Sequence, residues 1–517
     1  MYMKFNLDIN NFEIKDVIGN GDILSLEYID ELIQSIVEKL LNVNNNKGGF
    51  ILSRENINFS VYYQLEDGNY DILIIDGDIN LTNDVDTIYE DALTGLPNKE
   101  ALIRDLGNII NNKSNSNMSL FLLDIDSFRK INDLIGISNC DKLLKDLVER
   151  LFFSLLSNFD LYRFEGDCFA ILRTNRNEEK FIRHLDTLLD EPFQVGSKNV
   201  YISFSKGSFN LSNLKYDDSV DLVLDKVNLA LMDSKERGKG GWTVYSDSIM
   251  ENTIKEIEME NLIREAIKND QFHLVYQPQI SFKEKRLVGA EALIRWNHPT
   301  LGFISPAQFI PRAEKSGLII QIGEWVLKEV CKKISTWVSE GKECVKIGVN
   351  IASSHFKKST FISDLNELLD HYKIDAKLIG LEITEGSVID DAEDMVRKLS
   401  ELKELGVHVS IDDFGTGYSS LSYLKKFKID TLKIDQSFVM NMPSIREDKE
   451  IVRAIVALAK NLNIEVIAEG VETEEAVNLL MYMDCTDMQG YLFSKPMPLA
   501  DFEHLISGNN TIQNLYN

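Results

Sequence analysis

Six polar residues in the second half of the sequence stand where short apolar runs end, and their types suit chemistry on a phosphate ester. Each run, such as the one from Val409 to Ile411, reads as a buried strand, so its polar neighbour comes at or near the end of that strand. Carboxylates gathered at one place repel each other and are costly to desolvate unless cations accompany them. The six residues are Asn350, Glu382, Asp412, Asp413, Lys433 and Glu469.

This set of oxygen donors, which contains no His or Cys, predicts a site for hard divalent ions such as Mg²⁺ or Mn²⁺. The adjacent pair Asp412 and Asp413 can bridge two ions, and two ions about 3.5–4 Å apart stabilise in-line attack on a phosphate ester. Lys433 can position the attacking water or neutralise charge in the transition state. The residues alone therefore predict phosphodiester hydrolysis. Capping of strand ends is the alternative, which suits any one residue better than all six.

The elements that must position these side chains alternate between strands and helices. Amphipathic stretches such as Ile451–Leu462 separate several of the apolar runs. This alternation predicts parallel strands, and the number of repeats favours a closed TIM-like (β/α)8 barrel, in which all strand ends meet at one face. The predicted strands are Lys346–Ala352, Leu378–Thr384, Val407–Ile411, Thr431–Ile434 and Glu465–Ala468.

Residues 246–507 resemble the EAL-domain cyclic di-GMP phosphodiesterases, through motifs that occur in the family's order over about half of the chain. The naming motif lies within Glu291-Ala292-Leu293-Ile294-Arg295-Trp296. One departure is Gly386, where the family more often has Ser. The other motifs are Val349-Asn350-Ile351, Leu381-Glu382-Ile383-Thr384-Glu385, Asp412-Asp413-Phe414-Gly415-Thr416-Gly417-Tyr418-Ser419-Ser420, Lys433-Ile434-Asp435, Ala468-Glu469-Gly470-Val471-Glu472 and Gln489-Gly490-Tyr491.

The resemblance implies hydrolysis of cyclic di-GMP to linear 5′-pGpG with two Mg²⁺ or Mn²⁺ ions, in a barrel that has one antiparallel strand. Lys433 would engage the nucleophilic water, and Glu385 would brace the loop Phe414–Ser420, which couples dimerisation to activity in the family. The implied ligands are Glu291, Asn350, Glu382 and Asp412 for the first ion, and Asp412, Asp413 and Glu469 for the second. The implied substrate contacts are Gln277 and Arg295, with Gln489 beside the reaction centre.

Residues 86–245 read as an α+β palm and resemble the GGDEF domain of diguanylate cyclases. The opening motif is Asp91-Ala92-Leu93-Thr94-Gly95-Leu96-Pro97-Asn98, but the signature reads Glu165-Gly166-Asp167-Cys168-Phe169. Glu165 replaces a Gly and adds bulk and charge near phosphates, and Cys168 replaces an acid. We therefore predict a degenerate domain without cyclase activity. The resemblance leaves Asp124 and Asp167 as metal ligands, Asn132 and Asp141 as guanine contacts, and Lys235 and Lys239 as phosphate contacts.

Two roles for this palm stay open, namely GTP binding that regulates the barrel and a spacing or dimerisation module. Three activities are weighed for the whole chain: a phosphodiesterase, a catalytically silent cyclic di-GMP receptor, and a bifunctional enzyme. The intact ligand set favours the first, and the altered signature disfavours the third. A homodimer is the expected assembly.

The remaining segments contain no chemical motif. Residues 1–85 form a predicted small α+β module, either sensory or structural, with a helix near Tyr28–Leu41 and strands at Asn58–Gln64 and Tyr70–Ile75. Within the palm, helical spacing runs from Ile131 to Leu156, and a hairpin is predicted over Leu161–Leu172. Residues 508–517 read as a tail.

Composition narrows the classes of partner. The 82 acidic residues exceed the 55 Lys and Arg residues, and the net charge of −27 argues against a DNA or RNA polymer or an anionic membrane as partner. The five cysteines form no Cys-x-x-Cys pair, which suits a reducing cytoplasm. We find no signal peptide and no apolar stretch long enough to span a bilayer, and we expect a cytoplasmic protein.

Overall fold

The computed structural model describes residues 89–507 except 113–117, 155–158, 175–176, 196–197, 216–217, 389–391, 417–423 and 425. Before residue 89 it describes 2–8, 14–20, 35–36, 47–54, 57–66 and 69–77. The chain divides into two compact units, residues 1–253 and 254–517.

The first unit begins with a five-stranded antiparallel sheet whose strand order is β2-β1-β5-β4-β3. The two predicted strands are confirmed and are longer than expected. The predicted helix Tyr28–Leu41 lies outside the described residues except at Ser35 and Ile36, which are helical. The strands are β1 Tyr2–Asp8, β2 Ile14–Asn20, β3 Lys47–Arg54, β4 Ile57–Glu66 and β5 Asn69–Gly77.

The rest of this unit is the predicted α+β palm, built on a sheet of order β12-β11-β6-β8-β7. Alternate residues of β6 enter two separate cores, with Phe121 and Leu123 on one face and Leu120 and Leu122 on the other. The elements are α1 Lys99–Asn111, β6 Met118–Ile125, α2 Phe128–Ile135, α3 Ile137–Ser154, β7 Phe159–Glu165, β8 Cys168–Thr174, α4 Glu178–Leu189, β9 Phe193–Val195, β10 Lys198–Val200, β11 Phe204–Asn210, α5 Val220–Glu236 and β12 Trp242–Val244.

Two local predictions in the palm have different outcomes. The hairpin is confirmed, with β7 and β8 paired antiparallel around Gly166 and Asp167. The single helical segment Ile131–Leu156 is wrong, because α2 and α3 are separate helices. Gly136 separates them with φ 82°, a conformation that ends a helix and that glycine adopts without a steric penalty.

The second unit is an eight-stranded closed barrel, which confirms the predicted TIM-like fold. Strand β13 is antiparallel to both of its barrel neighbours, and the other neighbouring pairs are parallel. The barrel strands, in order around the wall, are β13 Phe272–Ser281, β14 Arg286–His298, β16 Lys346–Asn350, β17 Ile379–Thr384, β18 His408–Phe414, β19 Thr431–Ile434, β20 Glu465–Ala468 and β21 Asp487–Met488.

Helices surround this wall, and two short strands, β15 Gly302–Ile304 and β22 Met497–Pro498, pair with β14 and β13. The N-terminal end of α7 is set by a capping box between Ser305 and Gln308, with Pro306 in its first turn. The helices are α6 Asp247–Lys268, α7 Pro306–Ser316, α8 Ile319–Ser339, α9 Ser353–Lys357, α10 Phe361–Tyr372, α11 Ala392–Leu405, α12 Gln436–Asn441, α13 Arg446–Leu462, α14 Glu474–Tyr482 and α15 Leu499–Ser507.

Strand alternation explains how the barrel carries polar groups inside. Residues such as Val349 and Leu381 belong to the core between strands and helices, and the intervening residues line the barrel interior. The five predicted strands are confirmed, two of them with the bounds expected. Within the described part of the chain, no helix is both long and apolar enough to cross a membrane.

Candidate active site

A buried ammonium lies at the centre of the predicted site. Lys433 on β19 is fully buried, and four carboxylates surround its Nζ. An ammonium removed from water requires such partners, since an uncompensated buried charge is costly. Nζ is 2.5 Å from Glu382 Oε2, 2.6 Å from Glu469 Oε1, 3.2 Å from Asp412 Oδ1 and 3.5 Å from Glu291 Oε2.

The parallel strands carry these groups to the same end of the barrel. Asn350 on β16 pairs with Glu382 on β17, and Thr384 pairs with Asp412 on β18. Glu469 follows β20 directly, and its backbone N–H donates to the carbonyl of Ile434. The six residues predicted from strand ends therefore meet at the mouth formed by the carboxyl ends of the strands.

Full ionisation of four carboxylates around one ammonium costs electrostatic free energy, because the negative charges outnumber the positive one. Burial tends to lower the pKa of Lys433, but attraction to Glu291 and the other acids outweighs burial and holds this pKa well above its usual value. Burial raises the pKa of Glu382 to about 8 and that of Glu469 well above its usual range, although Lys433 opposes both shifts. The site thus holds more acid than its lysine can balance.

Glu291 on β14 is the carboxylate with the most hydrogen-bond donors. Burial opposes its ionisation, yet Lys433 and the amides of Gln489 and Asn350 stabilise its charge, so its pKa is lowered. Asn350 Nδ2 donates to Glu291 Oε1 at 2.6 Å, and Gln489 Nε2 donates to Oε2 at 2.6 Å. Gln489 Nε2 also donates to Gln277 Oε1 at 3.1 Å, which brings this predicted substrate contact beside Glu291.

Asp413 needs a special backbone to join the site. Two adjacent strand residues normally point to opposite faces. Asp413 instead has φ 53°, and the pairing of β18 with β19 shifts register between Ile411 and Phe414. As a result, Asp412, Asp413 and Glu469 offer ligand atoms that all lie within 4.8 Å of one another. Burial and the charge of Asp412 raise the pKa of Asp413 to about 6.

The predicted supporting residue Glu385 contacts the start of the loop that follows β18. Its Oε2 accepts a hydrogen bond from the backbone N–H of Gly415 at 2.9 Å. Gly415 has φ 106°, and a Cβ there would lie 2.9 Å from Phe438 Cε2, so glycine is required at this turn. Residues 417–420 of the loop lie outside the described part of the chain.

Arg295, the third predicted substrate contact, lies near the carboxylates. It lines a cavity of about 300 Å³ that Asn350 and Glu382 also border and that is otherwise mostly apolar. Arg295 Nη1 donates to the carbonyl of Ile294 at 2.9 Å, and burial lowers the pKa of its guanidinium. The arrangement is a cationic group on an apolar wall next to an acidic cluster, which suits an anionic ligand with a flat apolar part.

Gly348 is a site residue that motif reasoning missed. A Cβ at this position would lie 2.2 Å from Glu382 Oε1, so the carboxylate of Glu382 lies directly over the bare backbone of β16. The signal was present in the run Gly348-Val349-Asn350, because a glycine inside a strand often marks a close approach.

In the palm, one predicted metal contact, Asp124, pairs with one predicted phosphate contact, Lys235. Lys235 Nζ lies 2.6 Å from Asp124 Oδ1, and Lys239 Nζ donates to Ser127 Oγ at 2.8 Å. Burial and the charge of Asp124 raise the pKa of Asp167. The two remaining predicted contacts lie on neighbouring helices, Asn132 on α2 and Asp141 on α3.

The two altered signature residues have different surroundings. Glu165 is exposed and forms an ion pair with Lys99 at the start of α1, a contact that no motif predicts. Cys168 is buried, and burial first, then the charge of Asp124, raises the pKa of its thiol. A buried thiol with a raised pKa is a poor nucleophile, which argues against a redox role for Cys168.

Replacing Gly348 with Ala should destabilise the barrel by about 1–3 kcal/mol, because the new Cβ displaces a buried carboxylate. Gly386→Ala is the matched control, since a Cβ there meets nothing within 4 Å. Urea unfolding measures both free energies. Equal stability of Gly348→Ala and the native chain would show that Glu382 does not depend on this glycine.

The cluster should make the metal-free protein less stable as pH rises. Glu382 is protonated in the fold below about pH 8 but ionised in the unfolded chain above about pH 4.5. The folded state therefore binds more protons, and its stability falls between these values. The test compares the melting temperatures of Glu382→Gln and the native chain in the presence of a metal chelator. The variant's melting temperature should rise relative to that of the native chain as the pH increases from 5 to 8. A constant difference contradicts the shift.

Two protein families match the chain. Residues 88–241 match the diguanylate cyclase GGDEF domain, and residues 260–496 match the EAL domain. These ranges lie within the palm and the barrel respectively.

Similar proteins share both parts. A cyclic di-GMP phosphodiesterase, NbdA of Pseudomonas aeruginosa, is 34% identical over 80% of this chain and 54% of its own length. PdeR of Escherichia coli, also a cyclic di-GMP phosphodiesterase, is 35% identical over 80% and 62%. The chain thus spans about half to three-fifths of these relatives.

A solved structure, the PaMucR phosphodiesterase in a c-di-GMP complex, is 40% identical over 47% of this chain and 99% of that chain, with a TM-score of 0.46. The motifs, the two family matches and the identities to NbdA and PdeR agree. The chain therefore belongs to the family of proteins that join a GGDEF domain to an EAL domain.

Proposed function

We propose that the barrel hydrolyses cyclic di-GMP to linear 5′-pGpG. The observation that carries this proposal is the buried Lys433 ammonium within an excess of carboxylates. One of these carboxylates, Glu382, borders the mostly apolar cavity. The names of the relatives NbdA and PdeR support the same substrate. The sequence motifs for the metal ligands and the lysine are all intact, which favours a phosphodiesterase over a silent receptor.

The donor set fits two divalent ions. All candidate ligand atoms are oxygens, and three of them already lie within 4.8 Å of one another on Asp412, Asp413 and Glu469. Mg²⁺ or Mn²⁺ at this site would supply Lewis acidity and an activated water. The ligands would be Glu291, Asn350, Glu382 and Asp412 for one ion, and Asp412, Asp413 and Glu469 for the other.

The chain's own groups position the reactants. Lys433 can only donate hydrogen bonds, and its ammonium lies where it can orient a water and stabilise negative charge that develops on the phosphate oxygens. Arg295 on the cavity wall offers a cation for the second phosphate or a guanine edge. Gln277 and Gln489 contribute amides next to Glu291, and we propose that they contact polar atoms of the substrate.

Hydrolysis is tested with the full chain, cyclic di-GMP and Mg²⁺ or Mn²⁺, with products separated by chromatography. Glu291→Gln should lower kcat by about 100-fold or more, because it removes a metal-ligand charge and keeps the shape. Glu340→Gln, on the exposed end of α8, is the control and should retain activity. Tight binding of the dinucleotide without any product would favour the receptor.

We further propose that the palm regulates the barrel by binding GTP and does not act as a cyclase. The observation that favours it over a spacer is Asn132 Oδ1, a buried acceptor that has no hydrogen-bond partner among the described residues. An orphaned acceptor of this kind costs free energy unless a ligand donates to it. Asp124 and Lys235, now paired with each other, would separate to meet a metal ion and a phosphate.

The full chain should therefore bind GTP saturably with Mg²⁺ and form no cyclic product from it. Asn132→Ala should weaken binding by about tenfold, the worth of one buried hydrogen bond. Asn139→Ala, on the neighbouring helix with its amide on the Ile135 carbonyl, is the matched control. If GTP does not bind saturably, the proposal is wrong and the palm is better explained as a spacing or dimerisation module.

A homodimer completes the proposal. Glu385 would relay contacts made by the loop after β18 to Asp412 and Asp413, because it holds the Gly415 N–H at the base of that loop. The proposed division is an N-terminal module at 1–85, the palm at 86–245, the barrel at 246–507 and a tail at 508–517.

A further inference from the structure

Gln279 is a buried residue beside the site that neither the motifs nor the proposed ligands include. It lies on β13, two residues beyond Gln277. Across the hairpin of β13 and β14, Gln277 faces Glu291 and Gln279 faces Gly289. Gln279 therefore lies one layer deeper in the barrel than the Glu291 carboxylate.

Two amides form a directed chain of hydrogen bonds that ends on this carboxylate, and a third amide, that of Gln277, accepts a branch from it. Gln279 Nε2 donates to Gln489 Oε1 at 3.0 Å. Gln489 Nε2 in turn donates to Glu291 Oε2 at 2.6 Å and to Gln277 Oε1 at 3.1 Å. The participating side-chain atoms of Gln279, Gln489 and Glu291 are buried, so water does not compete for these bonds.

The direction of the chain matters because an amide has two unlike ends. Only the N–H end of Gln489 is attracted to the Glu291 carboxylate, and its carbonyl end would be repelled. The donor from Gln279 occupies that carbonyl end, so a flipped Gln489 would lose this bond and place oxygen against oxygen. Gln279 thus selects one of two rotamers of nearly equal shape.

Gly289 provides the space for Gln279. A Cβ at Gly289 would lie 2.8 Å from Gln279 Oε1, so the bare backbone of β14 leaves room for this amide. On its other side, Gln279 borders a polar cavity of about 540 Å³ that also reaches Lys346 and Glu465, at the opposite ends of the strands from the mouth. A slightly longer side chain at 279 can extend into this cavity.

We propose that Gln279 is a positioning residue, which sets the orientation of the Gln489 amide and thereby holds the Glu291 carboxylate in the direction that a divalent ion needs. This inference rests on the proposed function of the barrel site. Gln279 contacts none of the proposed metal ligands itself and acts through Gln489 alone.

Replacing Gln279 with a hydrogen-bond donor should preserve Mn²⁺ affinity, whereas replacing it with an acceptor should lower that affinity. Gln279→Lys keeps a donor for Gln489 Oε1, and its Mn²⁺ affinity should stay within about threefold of the native chain. Gln279→Glu offers only acceptors, which draws the Gln489 N–H end away from Glu291, and Mn²⁺ affinity should fall by about tenfold or more. Titration calorimetry without nucleotide measures both, and Gln321→Glu on the exposed side of α8 is the control.

A double-mutant cycle distinguishes two effects of Gln279→Glu, namely the reorientation of the Gln489 amide and the direct electrostatic effect of the new carboxylate. In a Gln489→Met background, Gln279→Glu should no longer change Mn²⁺ affinity, because no amide is left to turn. An equal loss in that background overturns the proposal, as does an unchanged affinity of Gln279→Glu in the native background. If Gln279→Glu does not fold, Gln279→Met takes its place.

The Mn²⁺ titrations do not require turnover, so the two proposals fail separately. A native chain that binds Mn²⁺ with the predicted coupling but cleaves no cyclic di-GMP overturns the proposed function only. A chain that cleaves cyclic di-GMP but shows no coupling between positions 279 and 489 overturns the positioning inference only. With turnover, Gln279→Glu should lower kcat and leave KM near its native value.

Discussion

The attraction between one buried ammonium and four carboxylates organises the barrel interior. Lys433 makes these acids tolerable inside the fold, and removal of one partner from such a buried group costs about 3–5 kcal/mol. The balance is incomplete, because Glu382 and Glu469 still have raised pKa values. This shortage of positive charge is what would favour divalent ions at the proposed site, and the amides of Asn350 and Gln489 help to keep Glu291 ionised inside the fold.

The site residues that could be predicted from the sequence are those whose position depends on strand alternation. Glu382, Lys433 and Glu469 each follow an apolar run, and a parallel barrel brings such positions to one face whatever the details of packing. Sequence reasoning could not give Asp413 its geometry, since φ 53° and a register shift override the alternation. Nor could it give Gly348 or Gln279 a role, because each depends on which atoms meet between strands.

In the palm, comparison with a family signature identifies the altered residues but does not predict their contacts. Glu165 was expected to place charge near a nucleotide's phosphates, and its ion pair with Lys99 offsets that charge at the surface. The helix break at Gly136 likewise depends on a single glycine within an otherwise helical pattern. Asn132 and Asp141 lie on either side of that break, so a continuous helix would have placed them differently.

The antiparallel strand β13 has a consequence for the order in which a new chain can fold. Its pairing with β14 is local, but its pairing with β21 joins residues about two hundred positions apart. During synthesis the hairpin of β13 and β14 forms early and then presents an open edge until β21 emerges. Gln489, which follows β21, is the last group to reach Glu291. A chain that stops before residue 487 lacks both β21 and Gln489, so its sheet stays open and its site stays incomplete. Such truncated products should be prone to edge-to-edge association.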